Sequence, residues 1–428
     1  MSPENRVVAQ TSGREPGVRR YRSLDGLRGV AATVVIGYHL LLVVPALSQT
    51  YVSGIASPFS PEWWLYKTPI RLFFAGHEAV LVFFVLSGFV LTLPLRLTAE
   101  RVWTWKSYYA RRLTRLYLPV WASLIFALML AFAVARNVSA ASPWIASHKP
   151  PTVVAVARDF LLLIGTSNLN SPLWSLRWEI WFSLLLPVMF YGLLLIRMQR
   201  WWILGVILLA LISAFAQFPK VAEALPGAFL TVGLLQYLPV FGIGMLLALH
   251  LKEIHATANT LRCLRFPRLV WVLLVVAAIL FIVSPSLLPG VPKGYDVSAA
   301  VAYLASLVGV VLVIFFASEG RPFIRFLNLR PVQWLGSRSF SIYLVHEPIV
   351  VAAALLTHAD GYLPWLFVAL GLIPLILLFA EGFYRFIEYP SLGLSRRLGT
   401  RFNRSIAQPR TQVTADASTD DGSPSTPK

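Results

Sequence analysis

An arginine and a histidine, two residue types seldom found in an apolar helix, stand eleven residues apart near the start of the chain. Arg28 precedes the run GVAATVVIGYH, which ends at His39. At 100° per residue this spacing returns to the same helix face, about 16 Å further along the axis. Asp25 lies one turn before Arg28 on nearly that face. Because imidazole titrates near neutrality, the pattern predicts a charged entrance and a buried proton acceptor; the alternative is a histidine bonded to a neighbouring helix.

A second polar cluster lies in SIYLVHEP, where Tyr343 and His346 are one helical turn apart. Glu347 follows directly, and Pro348 is able to kink the helix. We expect this cluster to line the same cavity as His39. The alternative is a polar brace between two helices.

Glu179 lies in the run LWSLRWEIWF, within an otherwise apolar segment. Three indole rings flank it, those of Trp174, Trp178 and Trp181. Aromatic belts form at such depths in membranes, but a carboxylate among indole rings also suits sugar hydroxyls. We interpret Glu179 as a site residue, with Trp174 in support; the alternative is an ion pair with Arg177 or Arg71.

The run RRLTR places Arg111, Arg112 and Arg115 at the entrance of an apolar segment. Arg111 and Arg115 are i,i+4 neighbours on a helix, so both guanidinium groups can face one polyanion. The competing interpretation is attraction to anionic lipid head groups.

The segment before that entrance contains small and polar residues in an apolar helix. Ser87 and Gly88, in FFVLSGFV, indicate close helix packing. His77 and Glu78 precede this run, and we expect them at a solvated rim; the alternatives are a catalytic dyad and a contact with a substrate.

The composition specifies the elements that must position these residues. The chain is 57% hydrophobic and 13% charged, which predicts an all-α polytopic membrane protein. Ten apolar runs are each long enough to cross a bilayer: 28–46, 72–95, 116–136, 174–196, 201–218, 228–250, 269–288, 297–317, 339–357 and 362–386. Residues 152–164 are apolar but short and contain Arg158 and Asp159, which indicates an interfacial or re-entrant segment.

The basic residues predict the orientation. Alternate connections hold twenty-one Lys and Arg residues on one side and seven on the other. The positive-inside rule therefore places both termini in the cytoplasm. The formal charge of +18 is divided among these short connections, so we expect no nucleic-acid partner.

The ends of the chain differ from the apolar segments. Residues 1–22 are Arg-rich and 391–428 end in a Ser/Thr/Asp/Pro mixture, so we expect disordered tails around a membrane domain at 23–390. A cleaved signal peptide at 1–50 is the alternative, but it would remove His39. Cys263 is the single cysteine, and no spacing predicts a metal site or a permanently bound cofactor.

Six fragments, in order, carry a resemblance to a known family. They are LDGLRGVAATVVIGYH (24–39), VLVFFVLSGFVLT (80–92), YYARRLTRLYLPVW (108–121), PLWSLRWEIWFSLLLP (172–187), SFSIYLVHEPI (339–349) and RFIEYP (385–390). Together they resemble the acyltransferase type 3 family, multi-pass bacterial proteins that O-acylate surface glycans and small glycosides. The resemblance is looser at His77 and Glu78, where a plainer Gly-rich approach is more typical of the family.

The resemblance implies a transferase in the bacterial cytoplasmic membrane, with cytoplasmic acyl-CoA as donor co-substrate and a glycan or glycoside as acceptor. It favours donor binding by the arginine cluster, and His39 suits the general base. Glu179 and Glu347 are the candidate carboxylate partners of His39. Three side chains are candidates to polarise the thioester carbonyl: Arg28, Tyr343 and Ser87. We expect the acyl group to be acetyl, and a longer acyl group is the alternative.

Several alternatives stay open at the sequence level. The acyl group either rests covalently on His39 or passes directly to the acceptor, and the oligomeric state is not specified. Residues 137–173 are too few for the extracytoplasmic hydrolase-like domain that some family members carry. A proton-coupled exporter or flippase of a glycan or lipid is the second hypothesis, and a non-catalytic membrane scaffold the third.

Overall fold

The computed structural model describes residues 21–95, 104–136, 142–195, 201–218, 221, 228–287, 297–358 and 361–407. Within these ranges all regular secondary structure is helical, so the chain is an all-α polytopic protein. The helices are α1 (Arg22–Leu42), α2 (Pro45–Ser53), α3 (Pro61–Lys67), α4 (Gly76–Leu95), α5 (Trp105–Ala133), α6 (Pro143–Ala146), α7 (Val153–Leu161), α8 (Leu173–Leu195), α9 (Trp202–Phe215), α10 (Ala228–Leu249), α11 (Leu251–Arg262), α12 (Pro267–Leu287), α13 (Val297–Glu319), α14 (Arg321–Leu327), α15 (Arg330–Thr357), α16 (Tyr362–Phe383) and α17 (Tyr389–Ala407). A 3₁₀ turn forms at Pro69–Phe74 and a π-helical turn at Tyr384–Glu388.

Each predicted span overlaps a helix, and the span 28–46 also crosses the bend from α1 into α2. Among the described residues, seven helices are long and apolar enough to cross a membrane, and the bent pair α1 and α2 brings the number to eight. The helix α9 has only 14 residues, and α8 contains both Arg177 and Glu179. The count of ten spans and the cytoplasmic termini therefore stay predictions.

The helices α1 and α15 form the closest pair near the predicted histidines. A Cβ at Gly29 would lie 2.4 Å from the Gly336 backbone nitrogen, and one at Gly336 would lie 2.1 Å from the Asp25 carbonyl oxygen. Two glycines in register thus let the backbones touch, as is common between membrane helices. This contact brings the helix of His39 against the helix of His346.

A second glycine pair joins α4 to α10. A Cβ at Gly88 would lie 2.0 Å from the Phe241 carbonyl oxygen, and one at Gly244 would lie 2.0 Å from the Val85 carbonyl oxygen. The packing role predicted for Gly88 is confirmed. Ser87 faces another direction and belongs to a polar network described below.

A sharp bend and a capped loop close the far end of α1. The axes of α1 and α2 differ by 107°, and Pro45 starts the second helix, where its missing N–H is no loss. The hydroxyl of Ser142 donates to the Leu42 carbonyl oxygen at 2.8 Å and also caps α6 by accepting from the Ile145 backbone nitrogen. These bonds fix the segment from Ser142 over the end of α1.

The segment 152–164 forms a short helix, α7, of nine residues. Thr152 caps its start by accepting from the Ala155 backbone nitrogen. A helix of this length spans about 13 Å at 1.5 Å per residue, too short to cross a bilayer. The interfacial location of α7 stays a prediction.

The prediction of a disordered tail from residue 391 is wrong for residues 391–407, which are helical. Ser391, Ser395 and Gly399 are buried at every fourth position and give α17 one face of small residues against α5. The Ser107 hydroxyl donates to the Gly399 carbonyl oxygen at 2.9 Å. Tertiary packing thus orders this segment, and the biased composition begins further along. The helix α1 likewise starts at Arg22, within the predicted N-terminal tail.

The remaining predicted tail residues, 1–20 and 408–428, lie outside the described residues. Ten of the Lys and Arg residues counted for the orientation also lie outside the described residues: Arg6, Arg14, Arg19, Arg20, Arg96, Arg101, Arg197, Arg200, Lys220 and Lys293.

Candidate active site

His39 lies near the end of α1, surrounded by aromatic rings. It is 8% exposed, and the ring centroids of Tyr38, Trp144 and His346 lie 5.0, 5.4 and 5.0 Å from its own. It borders a space of about 240 Å³ that we name the histidine cavity. The wall consists of Val35, Tyr38, His39, Tyr51, Gly76, His77, Val80, Trp174, Tyr237 and Tyr343.

Hydrogen bonds determine which nitrogen of His39 is available. His346 Nδ1 lies 3.0 Å from the Ile342 carbonyl oxygen, and we assign it the proton because a carbonyl only accepts. His346 Nε2 is then an acceptor, 3.1 Å from His39 Nδ1. His39 Nδ1 also lies 2.9 Å from the Val35 carbonyl oxygen, so it carries the proton. This assignment leaves the lone pair on His39 Nε2, the nitrogen required of a base.

The expected carboxylate partner of His39 is replaced by other groups. The Nδ1 contacts of His39 in the described structure are a backbone carbonyl and an imidazole. Glu347 Oε1 instead lies 2.6 Å from His148 Nε2, and both side chains are fully buried. Glu347 Oε2 accepts from the Ser171 backbone nitrogen at 3.2 Å. The reason is angular: His346 and Glu347 are 100° apart on α15 and face different neighbours.

Glu179 is the other predicted partner, and it binds an arginine on α5. Arg112 Nη2 lies 2.6 Å from Glu179 Oε1. The Ser87 hydroxyl donates to the same carboxylate oxygen at 3.1 Å, and Arg112 Nε donates to the Ser183 hydroxyl at 3.0 Å. In the described structure the carboxylate of Glu179 thus pairs with Arg112, and Arg71 pairs with Glu78 instead.

The arginine cluster surrounds a second space, of about 100 Å³, that we name the arginine cavity. Its wall contains Arg28, Ser87, Arg112, Arg115 and Glu179 together with apolar side chains and Tyr343.

Arg111 is not among the residues that line the arginine cavity in the described structure. Its side chain lies against α17, where a Cβ at Gly399 would come within 2.5 Å of Arg111 Cδ. The pair that shares the cavity is Arg112 with Arg115, spaced i,i+3, and not the predicted i,i+4 pair of Arg111 with Arg115.

Tyr343 lies between the two cavities and borders both. Its hydroxyl is 2.7 Å from the Ser175 hydroxyl and donates to the Pro172 carbonyl oxygen at 3.1 Å. Of the cluster predicted to line the cavity of His39, Tyr343 does so, whereas His346 and Glu347 are not in its wall in the described structure. His346 instead contacts His39 directly, at 3.1 Å. Tyr343 is the lining residue that the two cavities share in the described structure.

A third space, of about 480 Å³, adjoins the histidine cavity on the other side. We name it the tyrosine cavity after Tyr51, Tyr66, Tyr237 and Tyr303 in its wall. Tyr51, Tyr237 and His77 border both spaces.

His77 and Glu78 line the tyrosine cavity, and the prediction of a solvated rim is wrong for Glu78. Glu78 is 3% exposed and pairs with Arg71 at 2.8 Å, so it is a buried ion pair. Lys67 lines the same wall, and burial together with the charge of Arg71 lowers the pKa of its ammonium group.

The two remaining predicted residues have different positions. Trp174 borders the histidine cavity, and its ring is nearly parallel to that of His77, at 7° and 6.4 Å. Asp25 lines none of the three cavities in the described structure, and its supporting role stays a prediction.

Several residues around the site were not assigned to it from the sequence. Trp144, whose ring contacts that of His39, lies in α6, and His148 follows that helix. Tyr51 and Arg71, which line the tyrosine cavity, come from short elements between α1 and α4. None of them lies in an apolar helix, so none carried the signal of a buried polar group. Within the described residues no three His, Cys, Asp or Glu side chains are grouped to hold a metal ion.

Comparison with known proteins assigns the chain to a family. A family profile described as an acyltransferase domain, of acyltransferase type 3, matches residues 21–380. Acyltransferase MdmB of Streptomyces mycarofaciens is 29% identical over 227 residues, 50% of this chain and 51% of that protein. O-acetyltransferase PaAT-1 of Phomopsis amygdali is 37% identical over 103 residues, 22% of this chain and 20% of that protein.

O-acetyltransferase OatA of Staphylococcus aureus is 34% identical over 88 residues, 21% of this chain and 14% of that protein. The chain thus spans about half the length of MdmB and smaller parts of the other two relatives. No solved structure matches the chain significantly.

Proposed function

The chain belongs to the acyltransferase type 3 family and is an acyltransferase, and from this premise we propose that it transfers an acyl group from acyl-CoA to a hydroxyl of a glycan or glycoside. The observation that carries the proposal is the series of three adjoining cavities. They lead from arginines, past Tyr343, to His39, and on to a polar space. Such a series gives a donor and an acceptor separate approaches to one base.

The arginine cavity suits the phosphates of coenzyme A. Arg28, Arg112 and Arg115 line it, and guanidinium groups bind phosphate oxygens through paired hydrogen bonds. The cavity itself is small, so the nucleotide lies at its mouth and the thioester arm extends inward. Arg112 is held by Glu179 and Ser183, which orients its guanidinium before the donor arrives.

His39 supplies the base. The acceptor hydroxyl gives its proton to His39 Nε2 while its oxygen attacks the thioester carbonyl carbon. The carbon–sulfur bond then breaks, and the thiolate of coenzyme A takes the proton back from the imidazolium. An ester and a free thiol are formed, and His39 returns to its neutral state with no further reactant.

Tyr343 is the best placed of the three candidates for polarising the thioester carbonyl. It borders both the arginine and the histidine cavities, whereas Arg28 and Ser87 border the arginine cavity. To act in this way the Tyr343 hydroxyl exchanges its bond to the Pro172 carbonyl oxygen for one to the thioester oxygen, where a donor stabilises the developing negative charge.

The names of the relatives and the distribution of Lys and Arg along the chain make the proposal more specific. Two relatives are named as O-acetyltransferases, which supports acetyl-CoA as the donor. The excess of Lys and Arg on the side of Arg28 supports a cytoplasmic approach for that donor. The acceptor then reaches the tyrosine cavity from the other side of the bacterial cytoplasmic membrane, either as an extracytoplasmic or as a lipid-linked molecule.

The test uses membranes from cells producing the chain, supplied with acetyl-CoA labelled in the acetyl group. We expect label in an alkali-labile ester with the wild-type protein and at least a hundredfold less with His39→Ala, because a general base contributes about 10²–10⁴-fold. His358→Asn serves as the control, since His358 is exposed at the end of α15. Normal labelling by a well-expressed His39→Ala protein contradicts the proposal.

A proton-coupled exporter is the second candidate, favoured by the adjacent buried groups His39, His346, Glu347 and His148. Buried titratable groups in membrane proteins often form proton relays. An exporter depends on a proton gradient and needs no acyl donor. Stabilisation of the detergent-purified protein against heat by coenzyme A favours the transferase.

A further inference from the structure

The tyrosine cavity contains oxygen atoms that the protein itself does not satisfy. Glu78 Oε2, Tyr66 Oη and Ser306 Oγ are buried and have no hydrogen-bond partner among the described residues. Their residues are 3%, 6% and 1% exposed. All three residues line this one cavity. Because buried polar groups are nearly always paired, a molecule that fills the cavity and draws these side chains toward it supplies their missing partners.

The carboxylate of Glu78 is held in a fixed orientation. Arg71 Nη2 donates to Glu78 Oε1 at 2.8 Å, and Arg71 Nη1 donates to the Ile282 carbonyl oxygen at 2.8 Å. One carboxylate oxygen is thus occupied and the other is left for a ligand. A carboxylate oxygen only accepts hydrogen bonds, so it selects a ligand with donors, such as hydroxyl groups. The charge of Arg71 offsets that of Glu78, and Lys67 also lines the wall, so the cavity has no excess negative charge that would favour a cation.

The rest of the wall suits a saturated ring that carries hydroxyls. Gln217 and Gln236 add amide groups that both donate and accept. Tyr51 and Tyr237 provide aromatic surface, and both also border the histidine cavity. A molecule bound between them therefore reaches toward His39.

We propose that Glu78, together with Tyr66 and Ser306, binds the acyl acceptor through the hydroxyl groups of a neutral sugar-like ring. These contacts turn one further hydroxyl of that ring toward His39. This inference rests on the proposed function and specifies residues for its acceptor side.

The first experiment measures binding without any acyl donor. Purified full-length protein in detergent is heated with a panel of neutral methyl glycosides, with tetrahydropyran as a ring that lacks hydroxyls. We expect at least one glycoside to raise the melting temperature of the wild-type protein, whereas tetrahydropyran does not. Glu78→Gln preserves an acceptor for Arg71, and we expect it to raise the half-saturating glycoside concentration about tenfold.

Ser306→Ala and Tyr66→Phe separate binding from structure. Because neither hydroxyl has a protein partner among the described residues, we expect both variants to keep the melting temperature of the unliganded protein. Both should weaken glycoside binding. A structural role would lower the melting temperature instead. Glu381→Gln is the control, since Glu381 pairs with Arg338 and Arg385 away from this cavity.

The inference is overturned if no glycoside of the panel stabilises the protein, or if all three variants bind the glycoside as the wild type does. Failure of the proposed function is a different result. In that case acetyl-CoA is not consumed in a His39-dependent reaction, although the glycoside still binds and Glu78→Gln still weakens it. If transfer occurs but the three variants change nothing, the function stands and the acceptor site is wrong.

Discussion

At the residue scale, His39 is held by two partners with separate effects. The Val35 carbonyl oxygen fixes the proton on Nδ1, and His346 Nε2 accepts from the same nitrogen. In hydrolase triads a carboxylate usually has this role. Here a neutral imidazole and a carbonyl do so, which avoids placing an unpaired negative charge beside the base in a low-dielectric interior.

This arrangement predicts that His346 acts through its acceptor nitrogen. We expect His346→Leu to lower kcat for acyl transfer by about five- to tenfold, since one hydrogen bond contributes roughly 1 kcal/mol. His346→Gln keeps an acceptor oxygen near the same position and should restore most of the rate. Steady-state release of coenzyme A measures both variants. Equal loss in the two variants would show that packing of the ring, and not its acceptor nitrogen, matters.

The buried pair of His148 and Glu347 contributes to the stability of the fold. Both side chains are fully buried and 2.6 Å apart, and His148 Nδ1 also contacts the Trp144 carbonyl oxygen. Removing one member leaves the other buried without its partner, which costs about 3–5 kcal/mol in comparable cases. We therefore expect His148→Leu to lower the melting temperature of the purified protein by several degrees.

The matched control for His148→Leu is His358→Asn at an exposed position with a φ of 48°, a conformation that Asn tolerates. It should leave the melting temperature unchanged. An unchanged melting temperature in His148→Leu as well contradicts the anchoring role of the pair.

At the element scale, the position of His39 relative to His346 depends on how closely α1 and α15 approach. Gly29 and Gly336 permit backbone contact between these helices. The donor side depends on α5 in the same way, because its i,i+3 face carries Arg112 and Arg115 into the cavity while Arg111 contacts α17. Small residues at the helix contacts, and the direction in which each side chain leaves its helix, thus determine which of the predicted side chains contact one another.

Gly29→Ala tests the helix contact. A Cβ at this position would lie 2.4 Å from the Gly336 backbone nitrogen, so the helices must separate, at a cost of about 1–3 kcal/mol. We expect a lower melting temperature and a lower kcat with helix content retained, measured by circular dichroism and release of coenzyme A. Gly371→Ala is the control, because a Cβ there meets nothing within 4 Å. Equal behaviour of the two variants would refute the close contact.

At the scale of the whole molecule, the cavities form a path with chemically different ends. Arginines line one end, and the other contains Glu78 with several tyrosines. Tyr343 separates the first space from the second. Under the proposed orientation, the donor and the acceptor never compete for one entrance.

This arrangement predicts that acetyl-CoA is consumed from one side of the membrane only. Acetyl-CoA does not cross a bilayer, so we expect inside-out membrane vesicles to consume added acetyl-CoA and right-side-out vesicles to consume little. Permeabilising both preparations with mild detergent should make their rates equal. Equal rates before permeabilisation contradict the orientation inferred from the positive-inside rule.

The sequence by itself determined the class of the protein and the location of most of its helices. A hydrophobic fraction of 57% and ten long apolar runs predict an all-α polytopic chain, because a backbone in lipid must satisfy its hydrogen bonds within helices. The same principle singled out His39, Glu179 and His346, since polar groups in such runs are rare. Six ordered motifs indicated the family.

Only the tertiary structure decided which side chains pair with the two candidate carboxylates. The sequence left Glu179 and Glu347 as candidates beside His39, but they bind Arg112 and His148. Helical periodicity gives the angle of a side chain on its own helix and says nothing about which helix stands opposite. His148 and Arg71 lie in short segments without apolar periodicity, so only the folded chain brought His148 to Glu347 and Arg71 to the tyrosine cavity. Packing against α5 likewise ordered residues whose composition predicted a disordered tail.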